Sequence, residues 1–523
     1  MGLTEDEEVK EKPGTVFLVG AGPGDPGLIT VKGLRCLREA EVVVYDLLAN
    51  PLLLEEAPPR AERIFVGKSR GFHPTPQEKI NELLVERARR GKKVVRLKGG
   101  DPYIFGRGGE EAQYLVRHGI PFEVVPGITA AFAAAAYAGI PITHRDYTTS
   151  VGLVTGHMDP EKKMTSLDWE KLAGAVGTLA FYMGMANLPL ISSELIRHGR
   201  SPQTPVAVIS WGTTPRQRTL VATLGDVVER VEGEGITPPA IILVGEVVSL
   251  RQELRWFDRK PLLGKRVLVT RASAQGRGLA ELLEERGCES LLCPVIEILP
   301  PDDSGEMEAA IASLAGFDYV ILTSANGVDF FWSFLRAAGR DARALSGPVL
   351  VAVGPKTALA LEAHGLHAEL VADEFRAEGV VDLLRRREMA GKRVLYPRGD
   401  RARQLIPREL DLLGATVVSP VAYRTVLTEN NRERILELLR QEKIDAVTFT
   451  SASTVEDLVQ LIGEDAPVLL KKVTLASIGP LTSAALKRLG LSVAVEAELS
   501  TMEGLVTALE NHYKKADQLP SGD

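Results

Sequence analysis

The chain has 523 residues, 45% apolar and 25% charged, with a net charge of −7. A single core stops growing at about 250 to 300 residues, so two to four domains are expected. The net charge gives no support to a general nucleic-acid binder. The opening MGLTEDEEVKEKPG lacks the apolar segment of a signal peptide, and no apolar run reaches membrane-spanning length. These features predict a cytoplasmic protein without nucleic-acid or membrane partners.

Cysteine and histidine are too sparse and too scattered to predict a metal site. Cys36, Cys288 and Cys293 form no CxxC pair and lie in apolar or periodic segments, so core thiols in a reducing compartment are expected. His144 and His157 lack metal-ligand spacing and are expected to hold loops. The sequence therefore predicts no metal.

Short β-branched runs alternate with helical patterns along the whole chain, beginning with VFLVGAG, EVVVYD and KVVRLKGGD. This alternation is typical of a parallel α/β architecture. The segment LRQELRWFDRKPLLGKRV separates the strand-like AIILVGEVV from a new strand near Arg266. It predicts a boundary near Asp258, with domains at 15–258 and 264–513.

The second half contains an internal repeat. GKRVLVTR from Gly264 recurs as GKRVLYPR from Gly391, and FDYVILTSANGV from Phe317 recurs as IDAVTFTSASTV from Ile444, both 127 positions apart. VAVGPKTALAL also recurs as ASIGPLTSAAL, 125 positions later. Three motifs in one order indicate a duplication and predict two similar α/β lobes with a cleft. Chain order alone leaves open whether each lobe is contiguous.

The stretch FLVGAGPGDPGLIT resembles a dinucleotide-binding loop only in part. Gly20 and Gly22 fit the G-x-G-x-x-G pattern, but Asp25 occupies the third position and would repel a pyrophosphate. Asp25 followed by Pro26 instead indicates an N-cap with proline at the first helical position. A structural turn, or a loop that lets another ligand approach Pro23, both stay open.

Two further segments suggest a ligand site. In VVRLKGGDPYIFGRGGEEAQYL, two adjacent glycines expose the backbone, and Asp101 offers an acceptor for a hydroxyl group. The small residues of VVPGITAAFAAAAYAGIPITHR fit either a plain core or a flat ligand wall. The cations that crowd the first segment, which fit either a solvated face or an anion site, are Lys92, Lys93, Arg96, Lys98 and Arg107.

Nine stretches in order resemble the uroporphyrinogen-III C-methyltransferases of the tetrapyrrole methylase family and cover nearly all of residues 15 to 250. They are VGAGPGDPGLIT, VVVYD, VGKS, RLKGGDPYIFGRGGEE, PGITAA, AGIPITHR, TGH, YMG and WGTTPRQRTLVATL. The resemblance implies two α/β domains whose cleft binds S-adenosylmethionine and releases S-adenosylhomocysteine. It also implies a homodimer formed through this half.

The resemblance carries roles onto matching positions. It implies an acid–base pair of Asp46 and Lys68, which would otherwise indicate a strand-end cap and a surface lysine. The implied cofactor contacts are Pro23, Gly99, Gly100, Asp101, Ile104, Thr129, Ala130, Met183 and Gly212. The candidate partners for the eight carboxylates of the substrate are Arg96, Lys98, Arg107, Arg145, Arg216 and Arg218.

The second half lacks a nucleophile–base–acid pattern in its sequence. Its repeated features are TSAN and TSAS turns, from Thr323 and Thr450, and GPKT and GPLT turns, from Gly354 and Gly479. Each follows a strand and precedes a helix, where hydroxyls and free N–H groups can bind an anion or act as ordinary N-caps. Recurrence in both lobes favours a shared cleft for a polycarboxylate.

The stretches RVLVTR, LTSANGV, FTSASTV, VGPKTA, PVAYRT and SIGPLTSAAL resemble the uroporphyrinogen-III synthase family. The resemblance implies two lobes, about 264–292 plus 427–513 and about 301–418, joined by extended linkers at Cys293–Pro300 and Ser419–Val426. It implies closure of hydroxymethylbilane to uroporphyrinogen III with inversion of ring D.

In this half, Tyr423 matches the tyrosine proposed to assist loss of the hydroxyl, and a linker aromatic packed on a lobe is the alternative. The candidate substrate contacts are Arg271, Thr323, Ser324, Arg398, Thr450 and Ser451.

The two resemblances together predict a bifunctional enzyme that makes uroporphyrinogen III and methylates it twice to precorrin-2, in the sirohaem and cobalamin branches. The first half could instead act on another methyl acceptor. The second half could be a non-catalytic tetrapyrrole sensor that regulates the first.

Overall fold

The structure is a computed structural model that describes residues 12–67, 75–156, 167–271 and 273–518. The chain divides into two compact units, each with hydrophobic cores of its own. The first contains the described residues of Met1–Lys265, Leu283–Glu289 and Tyr513–Asp523, and the second contains those of Arg266–Leu282 and Ser290–His512. Across the described ranges, none of the helices is long and apolar enough to cross a membrane.

The first unit begins with a five-stranded parallel sheet. Its strands are β1 (Val16–Gly20), β2 (Val42–Tyr45), β3 (Glu62–Phe65), β4 (Val94–Lys98) and β5 (Phe122–Val125), and its helices are α1 (Val31–Arg38), α2 (Pro51–Leu54), α3 (Gln77–Arg89), α4 (Gly108–Arg117) and α5 (Ala130–Tyr137). The strand order is β3–β2–β4–β1–β5. Runs of buried valines form β2 and β4, as expected for a parallel sheet covered on both faces.

The same unit continues with a second five-stranded sheet. Its elements are β6 (Val151–Thr155), α6 (Trp169–Ala175), β7 (Thr178–Tyr182), α7 (Leu188–Arg197), β8 (Pro205–Ser210), β9 (Arg218–Thr223), α8 (Val227–Gly233), β10 (Ala240–Val244) and α9 (Arg251–Leu254). The strand order is β6–β7–β10–β8–β9. Only β6 and β7 pair in parallel, and the other three pairs are antiparallel. The α/β class is confirmed, but the expectation of parallel strands throughout is wrong for this sheet.

The second unit is also built from alternating strands and helices. Its strands are β11 (Arg266–Val269), β12 (Glu289–Leu292), β13 (Ile296–Leu299), β14 (Tyr319–Leu322), β15 (Val349–Ala352), β16 (Leu370–Val371), β17 (Arg393–Leu395), β18 (Arg398–Gly399), β19 (Thr416–Val418), β20 (Val421–Leu427), β21 (Ala446–Phe449), β22 (Thr474–Ser477) and β23 (Val495–Glu496). Its helices are α10 (Ser273–Glu285), α11 (Gly305–Ala312), α12 (Ala325–Ala337), α13 (Pro355–Ala363), α14 (Ala377–Arg385), α15 (Leu405–Leu412), α16 (Glu429–Arg440), α17 (Ala452–Ile462), α18 (Ala466–Leu469), α19 (Pro480–Arg488) and α20 (Met502–Gln518).

The internal repeat maps onto two sheets with equivalent strand orders. One sheet has the order β12–β11–β21–β22–β23, and the other, written in the matching direction, has the order β19–β17–β14–β15–β16. The strand of GKRVLVTR thus pairs with the strand of FTSAS, and the strand of GKRVLYPR pairs with the strand of LTSAN. Each lobe therefore combines one motif from the first copy with the neighbouring motif from the other copy.

A small third sheet joins the two lobes. Within the two expected linkers, β13 and β20 pair antiparallel, with Ile296 opposite Leu427 and Leu299 opposite Arg424. The short β18 adds to β20 in parallel. The three strands thus form one small sheet, and its hydrogen bonds fix the register of the two linkers.

Candidate active sites

The glycine turn after β1 is closed by a carboxylate. Asp25 Oδ1 accepts the N–H of Gly27 at 2.7 Å, and Pro26 is the first residue of a short 3-10 turn, as the N-cap prediction required. Tyr137 Oη donates to Asp25 Oδ2 at 2.6 Å. Burial and this neighbouring carboxylate raise the pKa of Tyr137. The position that a dinucleotide phosphate would need therefore holds a negative charge in a protein hydrogen bond.

The turns that follow β1, β4 and β5 meet through glycines. Gly22 and Gly100 exchange two backbone hydrogen bonds, of 3.2 and 2.7 Å. A Cβ atom at Gly127 would lie 2.3 Å from the carbonyl oxygen of Gly100 and 2.7 Å from Cα of Gly20. Contacts below 3.0 Å are not available to a Cβ, so these backbones approach as only glycine allows.

Asp101 ties two of these turns together. Its Oδ1 accepts the N–H of Tyr103 at 2.8 Å, and its Oδ2 accepts the N–H of Gly127 at 3.0 Å. A carboxylate has about four acceptor sites, so two remain for a ligand hydroxyl. The structure thus gives Asp101 a structural role that is compatible with the predicted ribose contact.

The predicted cofactor residues of the two sheets come together around Tyr182, the last residue of β7. The Thr129 hydroxyl lies 2.6 Å from Tyr182 Oη, and that oxygen accepts the N–H of Ala131 at 3.1 Å. Ile104 and Ala130 pack against the same core cluster as Tyr182. The turn after β8, which contains Gly212, also lies close to α5, because a Cβ at Gly212 would lie 2.5 Å from Cβ of Ala134.

Left-handed backbone marks the same region. Non-glycine residues rarely adopt positive φ, and when they do they cluster at functional sites. Five such residues occur in the first unit: Phe105, Arg107, Met183, Trp211 and Thr213. Phe105 also packs on Tyr182, with ring centroids 5.0 Å apart. Sequence reasoning assigned no role to Phe105 or Tyr182, although Phe105 lies in the motif PYIFGR and Tyr182 lies in YMG.

A buried ionic cluster lies beside the predicted base. Arg96 Nη2 lies 3.2 Å from Asp46 Oδ2, and Arg96 Nε lies 3.3 Å from Glu111 Oε1. Lys98 Nζ reaches the same Glu111 oxygen at 3.1 Å. Burial, followed by repulsion from Arg96, lowers the pKa of Lys98.

This cluster corrects two predicted substrate contacts. Arg96 is 3% exposed and Lys98 is 4% exposed, and both pair with Glu111, which is 0% exposed. Side chains that are buried and paired in this way are not available to the carboxylates of a large substrate. The sequence contains the partner of these two cations, Glu111 in the helical segment GGEEAQYL. The periodicity of that helix does not tell which strand residues it covers, so the pairing could not be predicted.

The other predicted cations of this half are accessible. Arg107 is exposed and makes a two-pronged pair with Glu110, and Arg145 is exposed in the loop before β6. Arg216 lies over the Trp211 ring at 5.4 Å, and Arg218 donates to the carbonyl of Glu234. Lys68 and His157 lie outside the described residues.

In the second unit, the hydroxyl groups of Tyr423 and Ser324 lie close together. Their hydroxyl oxygens are 3.1 Å apart, and the Ser324 oxygen also accepts the N–H of Gly327 as the N-cap of α12. Phe330 stacks on the Tyr423 ring at 5.7 Å, and Gly399 lies against the other side, where a Cβ would be 2.9 Å from the ring. The phenol is therefore fixed in place.

The remaining predicted residues of this unit divide between the two lobes. Thr323 bonds to Tyr396, whose pKa is raised by burial, and Arg398 donates to the carbonyls of Ser419 and Gly399. Arg271 and Thr450 follow neighbouring strands of the other lobe, where Ser451 caps α17. Burial lowers the pKa of Arg271.

One ion pair connects the lobes directly. Arg401 Nη1, which follows β18, lies 2.6 Å from Oδ1 of Asp457, which is buried on α17. A lost partner would leave the Asp457 carboxylate buried without compensation. Among the described residues, no group of histidine, cysteine and carboxylate side chains has a metal-binding arrangement.

Comparison with known proteins assigns both halves. Residues 15–228 match the family model of Tetrapyrrole (Corrin/Porphyrin) Methylases, and residues 277–507 match that of Uroporphyrinogen-III synthase HemD. The porphyrin biosynthesis protein HemD of Ruminiclostridium josui is 38% identical over 496 residues, 95% of this chain and 97% of that protein. A uroporphyrinogen-III C-methyltransferase of Bacillus subtilis (strain 168) is 45% identical over 343 residues, 65% of this chain and 70% of that protein.

Among solved structures, uroporphyrin-III C-methyltransferase from Thermus thermophilus complexed with S-adenyl homocysteine is 41% identical, covering 45% of this chain and all of its own, with a TM-score of 0.39. The alignment with the Ruminiclostridium josui protein spans both halves of this chain, and each half matches one of the two family models. The chain therefore belongs to the family of porphyrin biosynthesis proteins that join a tetrapyrrole methylase to a uroporphyrinogen-III synthase.

Proposed function

We propose that residues 264–513 cyclise hydroxymethylbilane to uroporphyrinogen III, and that residues 15–258 methylate this product twice with S-adenosylmethionine to give precorrin-2. The observation that carries the proposal is the close approach of the turns that hold Gly100, Asp101, Thr129 and Gly212 in one unit and the contact of Tyr423 with Ser324 in the other.

The residues around the glycine turns fit S-adenosylmethionine. The close backbone contacts of Gly100 and Gly127 fix the turns that would border the ligand, and Ile104 and Ala130 offer apolar surface to an adenine ring. Asp101 keeps free acceptor sites for the ribose hydroxyls. When bound, S-adenosylmethionine supplies an electrophilic methyl group, and S-adenosylhomocysteine is released.

The chain's own contribution to methyl transfer is positioning and proton transfer. Asp46 lies directly after β2, its Oδ1 accepts the N–H of Leu48, and its Oδ2 accepts from Arg96. A carboxylate held at both oxygens is suited to take the proton that the macrocycle must lose from another atom when one of its ring carbons gains the methyl group. The exposed Arg107 and Arg145 are the cations we assign to the substrate carboxylates.

Ring closure requires loss of water from hydroxymethylbilane and formation of a carbon–carbon bond in the inverted sense. Tyr423 is the proposed proton donor to the departing hydroxyl group, because its own hydroxyl is held by Ser324 and its ring by Phe330. Thr450, Ser451 and Arg271 line the other lobe as contacts for the carboxylates. Folding the substrate and excluding uninverted closure form the larger part of this catalysis.

The test is an anaerobic incubation of the purified chain with hydroxymethylbilane, with and without S-adenosylmethionine, with products resolved by isomer and by methylation state. We expect isomer III alone without the methyl donor and dimethylated product with it. Isomer I as the main product would favour the sensor interpretation of the second half. Cytoplasmic location and a homodimer formed through the first half belong to the same proposal, and cell fractionation and light scattering test them.

A further inference from the structure

Glu111 is the most deeply buried carboxylate near the proposed base, and no role has yet been given to it. It lies on α4, is 0% exposed, and its Oε1 accepts from three side chains: Arg96 at 3.3 Å, Lys98 at 3.1 Å and Gln77 at 3.1 Å. Its Oε2 has no hydrogen-bond partner among the described residues. A charged group is retained at such a place only when it is compensated, because removing an ion from water costs several kcal/mol.

The sheet explains why these charges meet. Arg96 and Lys98 are two residues apart on β4, so both side chains leave the same face of the sheet. Val44 lies opposite Arg96 on the neighbouring β2, which places Asp46 on that face as well. Glu111 comes from the helix that covers this face. The four ionisable groups make a neutral cluster of two cations and two carboxylates.

Arg96 is fixed in this cluster through three of its nitrogen atoms. Nε donates to Glu111, Nη2 donates to Asp46, and Nη1 donates to the backbone carbonyls of Val44 and Leu97. Four of the five guanidinium N–H groups are thereby used, and the planar group cannot turn without breaking several bonds. The orientation of Asp46 Oδ2 therefore depends on Arg96, and that of Arg96 depends on Glu111.

We propose that Glu111 is a positioning residue for methyl transfer, which holds the Arg96 guanidinium in the plane that aims Asp46 and balances the charge around it. Glu111 acts through Arg96 and makes no contact with substrate. This inference rests on the proposed function, in which Asp46 accepts the proton.

The experiment uses the full-length chain, anaerobically, with uroporphyrinogen III and S-adenosylmethionine, and compares Glu111→Gln with wild type over a range of pH. Glutamine keeps the size and one acceptor oxygen but removes the charge. A cluster with one excess positive charge favours ionised Asp46, so the acidic limb of the kcat profile should move down by about 0.5 to 1 pH unit. A weaker base should lower kcat about tenfold while KM for both substrates stays within about twofold.

Two further variants separate positioning from loss of stability. Glu62→Gln removes another arginine-bonded carboxylate of the same sheet, whose two bonds to Arg87 lie on the surface. It should leave kcat and the acidic limb unchanged. Glu111→Gln combined with Lys98→Met restores a neutral cluster, so the acidic limb should return towards the wild-type position.

The outcomes are distinguishable. If wild type transfers methyl groups and Glu111→Gln matches Glu62→Gln in kcat, KM and acidic limb, the inference is overturned. A lower kcat with raised KM values and an unchanged acidic limb would also overturn it, because that pattern indicates a structural role alone. If wild type forms no methylated product, the proposed function itself fails. If Asp46→Asn retains full kcat, Asp46 is not the base, and the inference is overturned while the proposed function stands. Circular dichroism and the thermal unfolding of each variant report whether the first unit is folded.

Discussion

The site in the first unit is built from charge and close backbone contact, whereas the site in the second unit is built from hydroxyl groups at strand ends and helix starts. Asp46, Arg96 and Glu111 form a buried ionic chain, and three glycine turns touch beside it. Around Tyr423 the partners are Ser324 and an aromatic ring, both neutral.

This difference fits the reactions proposed for the two units. Methyl transfer needs a rigid cradle for one cofactor and a base of controlled charge, which a buried ion network supplies. Ring closure needs a flexible linear substrate to be folded, with a single proton donor at the point of water loss. Substitutions should therefore act on one half without affecting the other, and their effects should differ in kind.

Gly127→Ala should give the largest difference between its effects on the first half and on the second half. The added Cβ would lie 2.3 Å from the Gly100 oxygen, so the turns must move apart. We expect affinity for S-adenosylmethionine to fall at least about a hundredfold, or about 2.7 kcal/mol, while cyclisation is unchanged. Calorimetric titration measures the affinity. Gly174→Ala, at a position with nothing within 4 Å, is the matched control, and equal affinities in the two variants would contradict the cradle.

Tyr423→Phe should have the next largest effect, confined to the second half. The ring keeps its stack on Phe330 but loses the hydroxyl group. Removal of a proton donor should slow cyclisation about a hundredfold and let isomer I accumulate. Methylation of supplied uroporphyrinogen III should not change. The product isomers are resolved by chromatography, with Tyr319→Phe on β14 as the control, and retention of pure isomer III would remove Tyr423 from the mechanism.

Ser324→Ala tests the neutral partner of that tyrosine. It removes both an N-cap and the contact with Tyr423, so we expect about 1 kcal/mol less stability and a roughly tenfold slower cyclisation. Denaturant unfolding and initial rates measure the two effects. Ser324→Thr keeps the hydroxyl and should recover most of the rate. Equal losses in both variants would show that the hydroxyl does not position Tyr423.

Tyr137→Phe should give the smallest change, in the first unit. Loss of the bond to Asp25 should lower stability by about 1 kcal/mol at neutral pH. Because the folded-state pKa of Tyr137 is raised, its contribution is complete below the unfolded pKa near 10 and is lost as pH rises above it. The difference in unfolding midpoint between wild type and variant should therefore shrink above pH 10. Tyr147→Phe, on an exposed ring, should show no such trend.

Much of the fold was predictable because its signals are local or repeated. The three repeated motifs correctly indicated two similar lobes, and Asp25–Pro26 correctly indicated a cap. Cys36, Cys288 and Cys293 are buried, as predicted. The antiparallel strands β8, β9 and β10 were missed, since alternation of strand and helix patterns carries no information on strand direction.

The site was predictable where a motif maps to one turn and not where two elements must meet. The turns that carry Gly100, Asp101 and Thr129 follow from their motifs, and the approach of these turns is a consequence of strand order, whereas the cofactor contacts of the three residues stay predictions. The burial of Arg96 and Lys98 was not predictable, because it depends on how α4 lies over β4. Tyr182 was also missed, because the contact between its hydroxyl and Thr129 joins two elements that are distant in the sequence.

The exchange of motifs between the lobes of the second unit has a consequence for biosynthesis. β14 to β19 are contiguous, and that sheet is complete once residue 418 has left the ribosome. β11 cannot pair with β21 until β21 has been synthesised, and the hydrogen bond between Thr270 and Thr448 spans 178 positions. During synthesis the chain therefore carries an unpaired strand edge while the inner lobe is already folded, a state prone to mispairing. The outer lobe closes only after β21, β22 and β23 have been synthesised, so the second unit folds from its middle outward.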